Sequence, residues 1–367
     1  MLGKSWYSAR TVLGPWLTMP WLTMIALALL LAACGDGEPA GESPAPPAGT
    51  ATVGPASAEC PSDPGVPANA PEGEGLEGRI VFVRLIFGCS PEVYTMNADG
   101  TGAANLSNHP ALDDEPDITR DGSKIVFFSG RDGGAHIYVM DADGSDLRQL
   151  TDEQAGDASP RWSPDGSRIA FSRNGSVAVM NADGSDQKVI MESQPSEKAE
   201  PCHEGSFVGG WSPDGKRITY YAGVLGSGGT PGRWFICAVD ADGSNVEVLV
   251  SEPAGSVHAE PVWSPDGSKI AYRDDRDSPN CKAPDYSDCS FEIYVLDLET
   301  REETNVTNHP ALDIEPNWSP DGKWIIFASN REDSAFDLYV IRPDGSDLRR
   351  VFNDPAPAKD SYPAWVR

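Results

Sequence analysis

Two distant segments carry the same run of side chains able to hold a cation or a basic group. They read Asn108-His-Pro-Ala-Leu-Asp-Asp-Glu-Pro116 and Asn308-His-Pro-Ala-Leu-Asp-Ile-Glu-Pro316, and a shorter relative reads His258-Ala-Glu260-Pro261. Asp113, Glu115, His258, Glu260, Asp313 and Glu315 would form one site only if the fold gathers them around a common opening, with His109 and His309 slightly further out. Carboxylates and imidazoles are suitable ligands for a divalent cation. The same ring would also attract a basic peptide segment. The alternative use is structural: each acid pairs with an arginine further along, such as Arg131 or Arg331, or with buried backbone.

The elements that must position these residues recur. Each acidic segment runs into a tryptophan turn, Trp162-Ser-Pro-Asp-Gly166, Trp211-Ser-Pro-Asp-Gly215, Trp263-Ser-Pro-Asp-Gly267 and Trp318-Ser-Pro-Asp-Gly322, with a degenerate copy at Ile118-Thr-Arg-Asp-Gly122. An alternating apolar run follows each turn, as in Lys124-Ile-Val-Phe-Phe128. A further strand with its own turn comes next, as in Ile137-Tyr-Val-Met-Asp-Ala-Asp-Gly144, and then a short strand ending in Leu150-Thr151. A unit of roughly 45 residues made of four strands is the signature of a propeller blade. With the strands lettered A to D from the centre, B begins near Ile80, Ile125, Ile169, Ile218, Ile270 and Ile325, and C lies at Val93, Ile137, Val177, Phe235, Ile293 and Leu338. Strand A with its turn occurs once fewer. The missing A is Tyr362-Pro-Ala-Trp-Val366, and Glu77-Gly-Arg-Ile80 reads as the second half of its turn. The spacing therefore predicts an all-β, six-bladed propeller whose first blade is closed by the C-terminal strand, which hides edges that an open array would expose. The Asp-Ala-Asp-Gly-Ser runs are read as strand turns, since a helix-flanked calcium loop needs a closing Glu.

The unit Pro-x-Trp-Ser-Pro-Asp-Gly-x-x-Ile-Ala-Phe, Ile-Tyr-Val-Met-Asp-x-Asp-Gly, Leu-Thr resembles the repeat of TolB-like propellers, a WD40-like Asp-Pro-Asp-Gly family, over residues 78 to 367. The family includes a periplasmic protein with an α/β domain before its propeller, and the propeller domains of prolyl-oligopeptidase-type peptidases. The resemblance implies a six-bladed propeller. Those peptidases also need a Gly-x-Ser-x-Gly elbow, whose nearest approach here, Gly210-Trp-Ser-Pro-Asp214, lacks the second glycine.

Residues 1–33 read as a signal peptide. Lys4 and Arg10 precede an uncharged apolar run from Trp21 to Ala33, too short to span a bilayer comfortably. Leu31-Ala-Ala-Cys34 resembles the lipobox of bacterial lipoproteins, which implies diacylation of Cys34 and anchoring at a membrane surface. Residues 34–76 are Gly, Pro, Ala, Ser, Thr and Glu with almost no large apolar side chain, a composition that reads as a tether reaching up to about 100 Å. The propeller takes residues 77–367. Beyond Cys34 six cysteines remain, Cys60, Cys89, Cys202, Cys237, Cys281 and Cys289, and an even number in an exported chain suggests disulfides. Proximity in the repeat favours Cys281–Cys289 and Cys202–Cys237, and Cys60–Cys89 would then pin the end of the tether to the first blade.

The net charge of −28 disfavours nucleic acid as a partner. Short uniform turns leave one face of the ring plain. The long irregular connections, 85–92, 191–208, 222–233 and 273–290, all leave the other face, and variable loops on a repeated scaffold usually carry function. The expectation is a monomeric, membrane-tethered extracytoplasmic module that binds a protein or peptide of the cell envelope and requires no cofactor. A divalent cation at the channel mouth is the further option. The alternatives are a metal-dependent lyase or lactone hydrolase acting in that mouth, as in some other six-bladed propellers, and a structural envelope protein. No catalytic constellation is legible.

Overall fold

The computed structural model describes residues 75–86, 88–152, 156–194, 201–203, 205–224, 233–251, 256–278, 290–332, 335–351 and 358–367. They form six four-stranded antiparallel sheets. Blade 1 joins the two ends of the propeller: β1 (Arg79–Ile86), β2 (Glu92–Asn97) and β3 (Ala104–Asn105) are completed by β24 (Ala358–Val366) as the innermost strand. Blade 2 is β4 (Asp113–Ile118), β5 (Lys124–Ser129), β6 (His136–Asp141) and β7 (Arg148–Gln149). Blade 3 is β8 (Asp157–Trp162), β9 (Arg168–Arg173), β10 (Ser176–Asn181) and β11 (Lys188–Met191). Blade 4 is β12 (Ser206–Trp211), β13 (Arg217–Val224), β14 (Arg233–Asp240) and β15 (Glu247–Val250). Blade 5 is β16 (His258–Trp263), β17 (Lys269–Asp274), β18 (Glu292–Asp297) and β19 (Glu303–Asn305). Blade 6 is β20 (Asp313–Trp318), β21 (Ile325–Ser329), β22 (Asp337–Ile341) and β23 (Arg349–Arg350). The six-bladed propeller and its closure by the C-terminal strand are thus as the repeat count predicts, with Arg79 opposite Val366, Ile80 opposite Trp365 and Val81 opposite Ala364.

The middle strands of each blade are apolar on both faces because each face meets a neighbouring blade. Val126 and Phe128 of blade 2 pack with Ile169 and Phe171 of blade 3, and Phe82 and Tyr94 of blade 1 with Ile326 and Leu338 of blade 6. Each such side chain gains about 1.5–3 kcal/mol on leaving water. Some tryptophans at the ends of the inner strands add directed bonds, whereas among the described residues the Trp162 and Trp263 indole N–H groups are buried without a partner. Trp211 Nε1 donates to Arg161 O at 3.1 Å, and Trp318 Nε1 to Val262 O at 3.2 Å, each reaching the preceding blade. A buried indole N–H usually finds such a partner.

The turns that close strands A and B explain the Ser-Pro-Asp-Gly code. Gly166 supplies φ +69°, a left-handed value that favours glycine, and its N–H donates to Ser163 O at 2.8 Å. Asp165 Oδ1 accepts from Ser163 Oγ at 2.7 Å, Ser167 N at 3.0 Å and Ser167 Oγ at 2.8 Å. Those bonds, led by the Ser163 hydroxyl, hold the Asp165 carboxyl down to about 2. The C–D turns repeat the device, with Ser145 N and Oγ donating to Asp143 and Ser185 N and Oγ to Asp183. These aspartates serve their own turns.

Candidate functional site: the mouth of the central channel

With β24 counted from Asp360, which lies opposite Arg84 as Asp113 lies opposite Ser129, the third residue of each inner strand is Glu115, Ser159, Val208, Glu260, Glu315 or Tyr362, and the fourth is proline except in β12, where it is Gly209. Five of the six have positive φ: Glu115 51°, Ser159 51°, Glu260 57°, Glu315 57° and Tyr362 47°. At the same place the pairing of each inner strand with its B strand shifts register, between Asp114 and Asp117 in β4 and between Ile314 and Asn317 in β20. Each bulge breaks the two-residue alternation of the strand and turns its third side chain into the channel. Non-glycine residues held there cost about 1–3 kcal/mol each and persist only where their surroundings over-determine them.

The over-determination comes from the carboxylates. Glu115 Oε2 accepts from Ser159 N at 2.6 Å, Glu260 Oε2 from Glu315 N at 2.7 Å, and Glu315 Oε2 from Tyr362 N at 2.7 Å. Each glutamate therefore ties the bulge of its own blade to the bulge of the next. Together with Ser159, Tyr221, Tyr362 and Arg161 they line a cavity of about 30 Å³, room for one or two waters. Arg161 crosses it, its Nε donating to Gly209 O at 3.0 Å, and Arg273 Nε stands 3.3 Å from Glu260 Oε1. Burial, and then the negative charge of Glu260, hold the Glu315 carboxyl well above the usual range. Burial also raises Glu115, against the pull of Arg161, and lifts Asp114 to about 8 with help from the adjacent Glu115.

Asp114 (about 8) and Glu292 (about 7) hold protons more tightly in the native state than in the unfolded chain. Their stabilising contribution is complete below the ordinary carboxylate range and is lost as pH rises through about 7 to 8. The urea midpoint is expected to fall between pH 5.5 and pH 9, and Asp114→Asn to flatten that fall. A midpoint that rose across the interval would contradict the burial of these groups.

The structure brings Glu115, Glu260 and Glu315 together and places the other three candidates elsewhere. Asp113 and Asp313 are fully buried one bulge away, facing arginines of their own blades. Arg131 Nη2 donates to both Asp113 oxygens at 3.0 and 2.9 Å, and Arg331 Nη2 to both Asp313 oxygens at 2.8 and 2.9 Å. His258 is equally buried, its Nδ1 2.6 Å from Asp274 Oδ2, which also receives Arg276 Nε at 2.7 Å. His109 and His309 sit in matching loops, each with its backbone N–H on a glutamate, Glu92 or Glu292, and its Nδ1 accepting from Ala111 or Ala311. Among the described residues no group of three His, Cys, Asp or Glu side chains is placed to hold a metal ion.

Arg161, Tyr221 and Tyr362 belong to the cavity and were not singled out by sequence. Tyr362 was within reach: aligning Tyr362-Pro-Ala-Trp365 with Glu315-Pro-Asn-Trp318 puts it in the bulge position. Gly209 stands where the other inner strands have proline, and a Cβ there would lie 2.1 Å from Pro261 O. Gly209→Ala is expected to force blades 4 and 5 apart and cost about 2–4 kcal/mol, read from urea unfolding. A loss below about 0.5 kcal/mol would show that this approach is not tight.

Cys202 and Cys237 form a disulfide within blade 4. Cys89 is also disulfide-bonded; Cys60, its expected partner, and the pair Cys281 and Cys289 lie outside the described residues, as does Cys34. The long connections 191–208, 222–233 and 273–290 lie partly outside them too.

Comparison with known proteins agrees with this geometry. The sequence family described as "TolB beta propeller domain" matches residues 55–208 and 203–365. An Agrobacterium fabrum protein, "Uncharacterized protein Atu1656", is 27% identical over 204 residues, 52% of this chain and 62% of its own. The "Tol-Pal system protein TolB" of Anaeromyxobacter dehalogenans is 34% identical over 137 residues, 36% of this chain and 27% of its own. The matched stretches thus span less than two-thirds of these curated relatives. Among solved structures, TolB from Acinetobacter baumannii superposes with a TM-score of 0.62 at 21% identity, covering 79% of this chain and 66% of that one.

Proposed function

The chain belongs to the TolB β-propeller domain family, and we propose that it is a membrane-tethered, extracytoplasmic scaffold that binds a protein or peptide of the cell envelope on its loop face. The observation that carries this reading is the state of the channel. Its glutamates are occupied by backbone N–H groups of neighbouring blades, and the space between them admits only water. A small-molecule site is typically about 300–1,000 Å³. What remains for recognition is the rim, where the irregular connections emerge around a ring of buried carboxyl groups tied to backbone N–H groups and to Arg161 and Arg273. The net charge of −28 suits a partner presenting a basic segment, and the family membership supports an envelope setting. The Cys202–Cys237 disulfide fits an exported protein.

The anchor is tested by Cys34→Ser. This variant is expected in the soluble fraction, or retained with its signal uncleaved. Membrane-bound protein with the mature mass of the wild type would overturn lipidation at this cysteine. The partner reading is tested on the same membranes by chemical cross-linking and mass identification. Wild type is expected to yield a discrete envelope-protein adduct that is lost when the loop-face connections are shortened; an adduct indifferent to those loops would overturn it.

A further inference from the structure

In four blades an acid near the start of the inner strand is held by a buried arginine, and in blade 5 a histidine takes the acid's place. Asp113–Arg131, Asp157–Arg173 and Asp313–Arg331 are close pairs in blades 2, 3 and 6, at 2.9, 2.8 and 2.8 Å. Blade 5 substitutes His258 for the acid and moves the carboxylate to Asp274, paired with Arg276 at 2.6 Å. Blade 1 sets Asp360 4.0 Å from Arg84. The arginines also lie over the rings of strands B and C: Arg131 over Phe127 and Tyr138 at 5.5 and 5.0 Å, Arg331 over Phe327 and Tyr339 at 5.2 and 5.0 Å, and Arg276 over Tyr294 at 4.7 Å. Acid, arginine and ring together clamp strand A to its own blade at the loop-face end.

Among the described residues blade 4 lacks the acid, the arginine and the strand-C ring, and keeps only a strand-B ring, Tyr220. Strand register puts Ser206 where Asp113 stands, each being the first inner-strand residue opposite the sixth residue of strand B, Ala222 or Ser129. Val224 takes the place of Arg131, two residues further on. Cys237, opposite Tyr220, takes the place of Tyr138, opposite Phe127. Among the described residues the Ser206 and Tyr220 hydroxyls are buried without a hydrogen-bond partner, so none of them rebuilds a polar clamp there. Cys237 instead bonds Cys202, which lies four residues before β12. Both cysteines are buried, within the apolar contact that joins blade 4 to blade 3 through Val177, Met191 and Val208.

We propose that the Cys202–Cys237 disulfide is a covalent latch that replaces the ion-pair clamp in blade 4 and holds the segment entering β12 against its blade. Val208 and Gly209, which line the channel from the inner strand of this blade, follow that segment directly. The latch therefore sets the shape of the rim at blade 4, whatever ligand the rim binds. It confines the open states of residues 201–203 and 205–208, which blades 1, 2, 3 and 6 confine electrostatically.

Hydrogen exchange on intact protein tests this. In Cys202→Ala/Cys237→Ala, peptides covering 201–211 are expected to exchange about tenfold faster or more, while the inner strands of blades 2, 3 and 6 hold their rates. Rebuilding the clamp with Ser206→Asp, Val224→Arg and Cys237→Tyr in a Cys202→Ala background is expected to bring the rate back to within about threefold of wild type. Unchanged exchange in the double variant, equal acceleration in all blades, or a rebuilt clamp that restores nothing would each overturn the proposal. If the double variant does not fold, the rebuilt variant decides: folding with slow exchange at 201–211 supports the latch, and failure to fold overturns it.

Discussion

Deleting Tyr362–Arg367 is expected to abolish the cooperative fold. The deletion removes most of the inner strand of blade 1 and with it Ala364, Trp365 and Val366, all buried, and the Trp365 Nε1 bond to Glu77 O at 3.0 Å. It strips pairing from Arg79, Ile80 and Val81 of β1, and it uncovers Ile125 and Phe127 of blade 2, which pack against Ala364 and Val366. Loss of a buried tryptophan and valine costs about 5 kcal/mol, and each orphaned backbone group adds about 1–3 kcal/mol. The total matches the about 5–15 kcal/mol that holds a whole domain. Circular dichroism of the truncated chain should show no sharp thermal transition, and gel filtration should show aggregation through the exposed edge of β1. An unchanged unfolding midpoint would rule out closure by the C-terminal strand.

Asp313→Ala carries the second large effect. Asp313 is fully buried, accepts from Ser329 Oγ at 2.5 Å and receives both contacts of Arg331, whose side chain is only 7% exposed. Removing the carboxylate leaves a buried guanidinium uncompensated, at a cost of about 3–5 kcal/mol. Removing both partners together, as in Asp313→Ala/Arg331→Leu, should recover a large part of that loss, because no charge is then stranded. A double-mutant cycle in urea measures it. If Asp313→Ala cost under about 1 kcal/mol, the clamp would be no more than a surface-strength pair.

The blade count, the ring closure and the split of blade 1 were legible because they rest on local chemistry. Ser-Pro-Asp-Gly dictates a turn wherever it occurs, and the alternating runs after it dictate strands. The pairing of Asp113 with Arg131 and of Asp313 with Arg331 was also readable, as the structural alternative to a ligand site. What separated Glu115 from Asp113 was the bulge, and here the sequence signal points the other way. A residue before proline is steered toward extended backbone, whereas Glu115, Ser159, Glu260, Glu315 and Tyr362 all take left-handed φ. At Ser159, Glu315 and Tyr362 that conformation is held by a carboxylate-to-amide bond from the neighbouring blade, which no single repeat contains. Cys202–Cys237 was readable because both residues fall within one repeat, although its place in the clamp position emerges only from strand register.

The central claim is that this propeller works through its loop face, and site-specific photocrosslinking in native membranes tests it most directly. A photoreactive residue is placed at His109 or His309 on the loop face, and at Asp165 or Asp321 in the A–B turns of the opposite face. The loop-face positions are expected to give a discrete protein adduct, and the turn positions none above the background of unirradiated membranes. Adducts confined to the turn positions, or equal from both faces, would contradict the account.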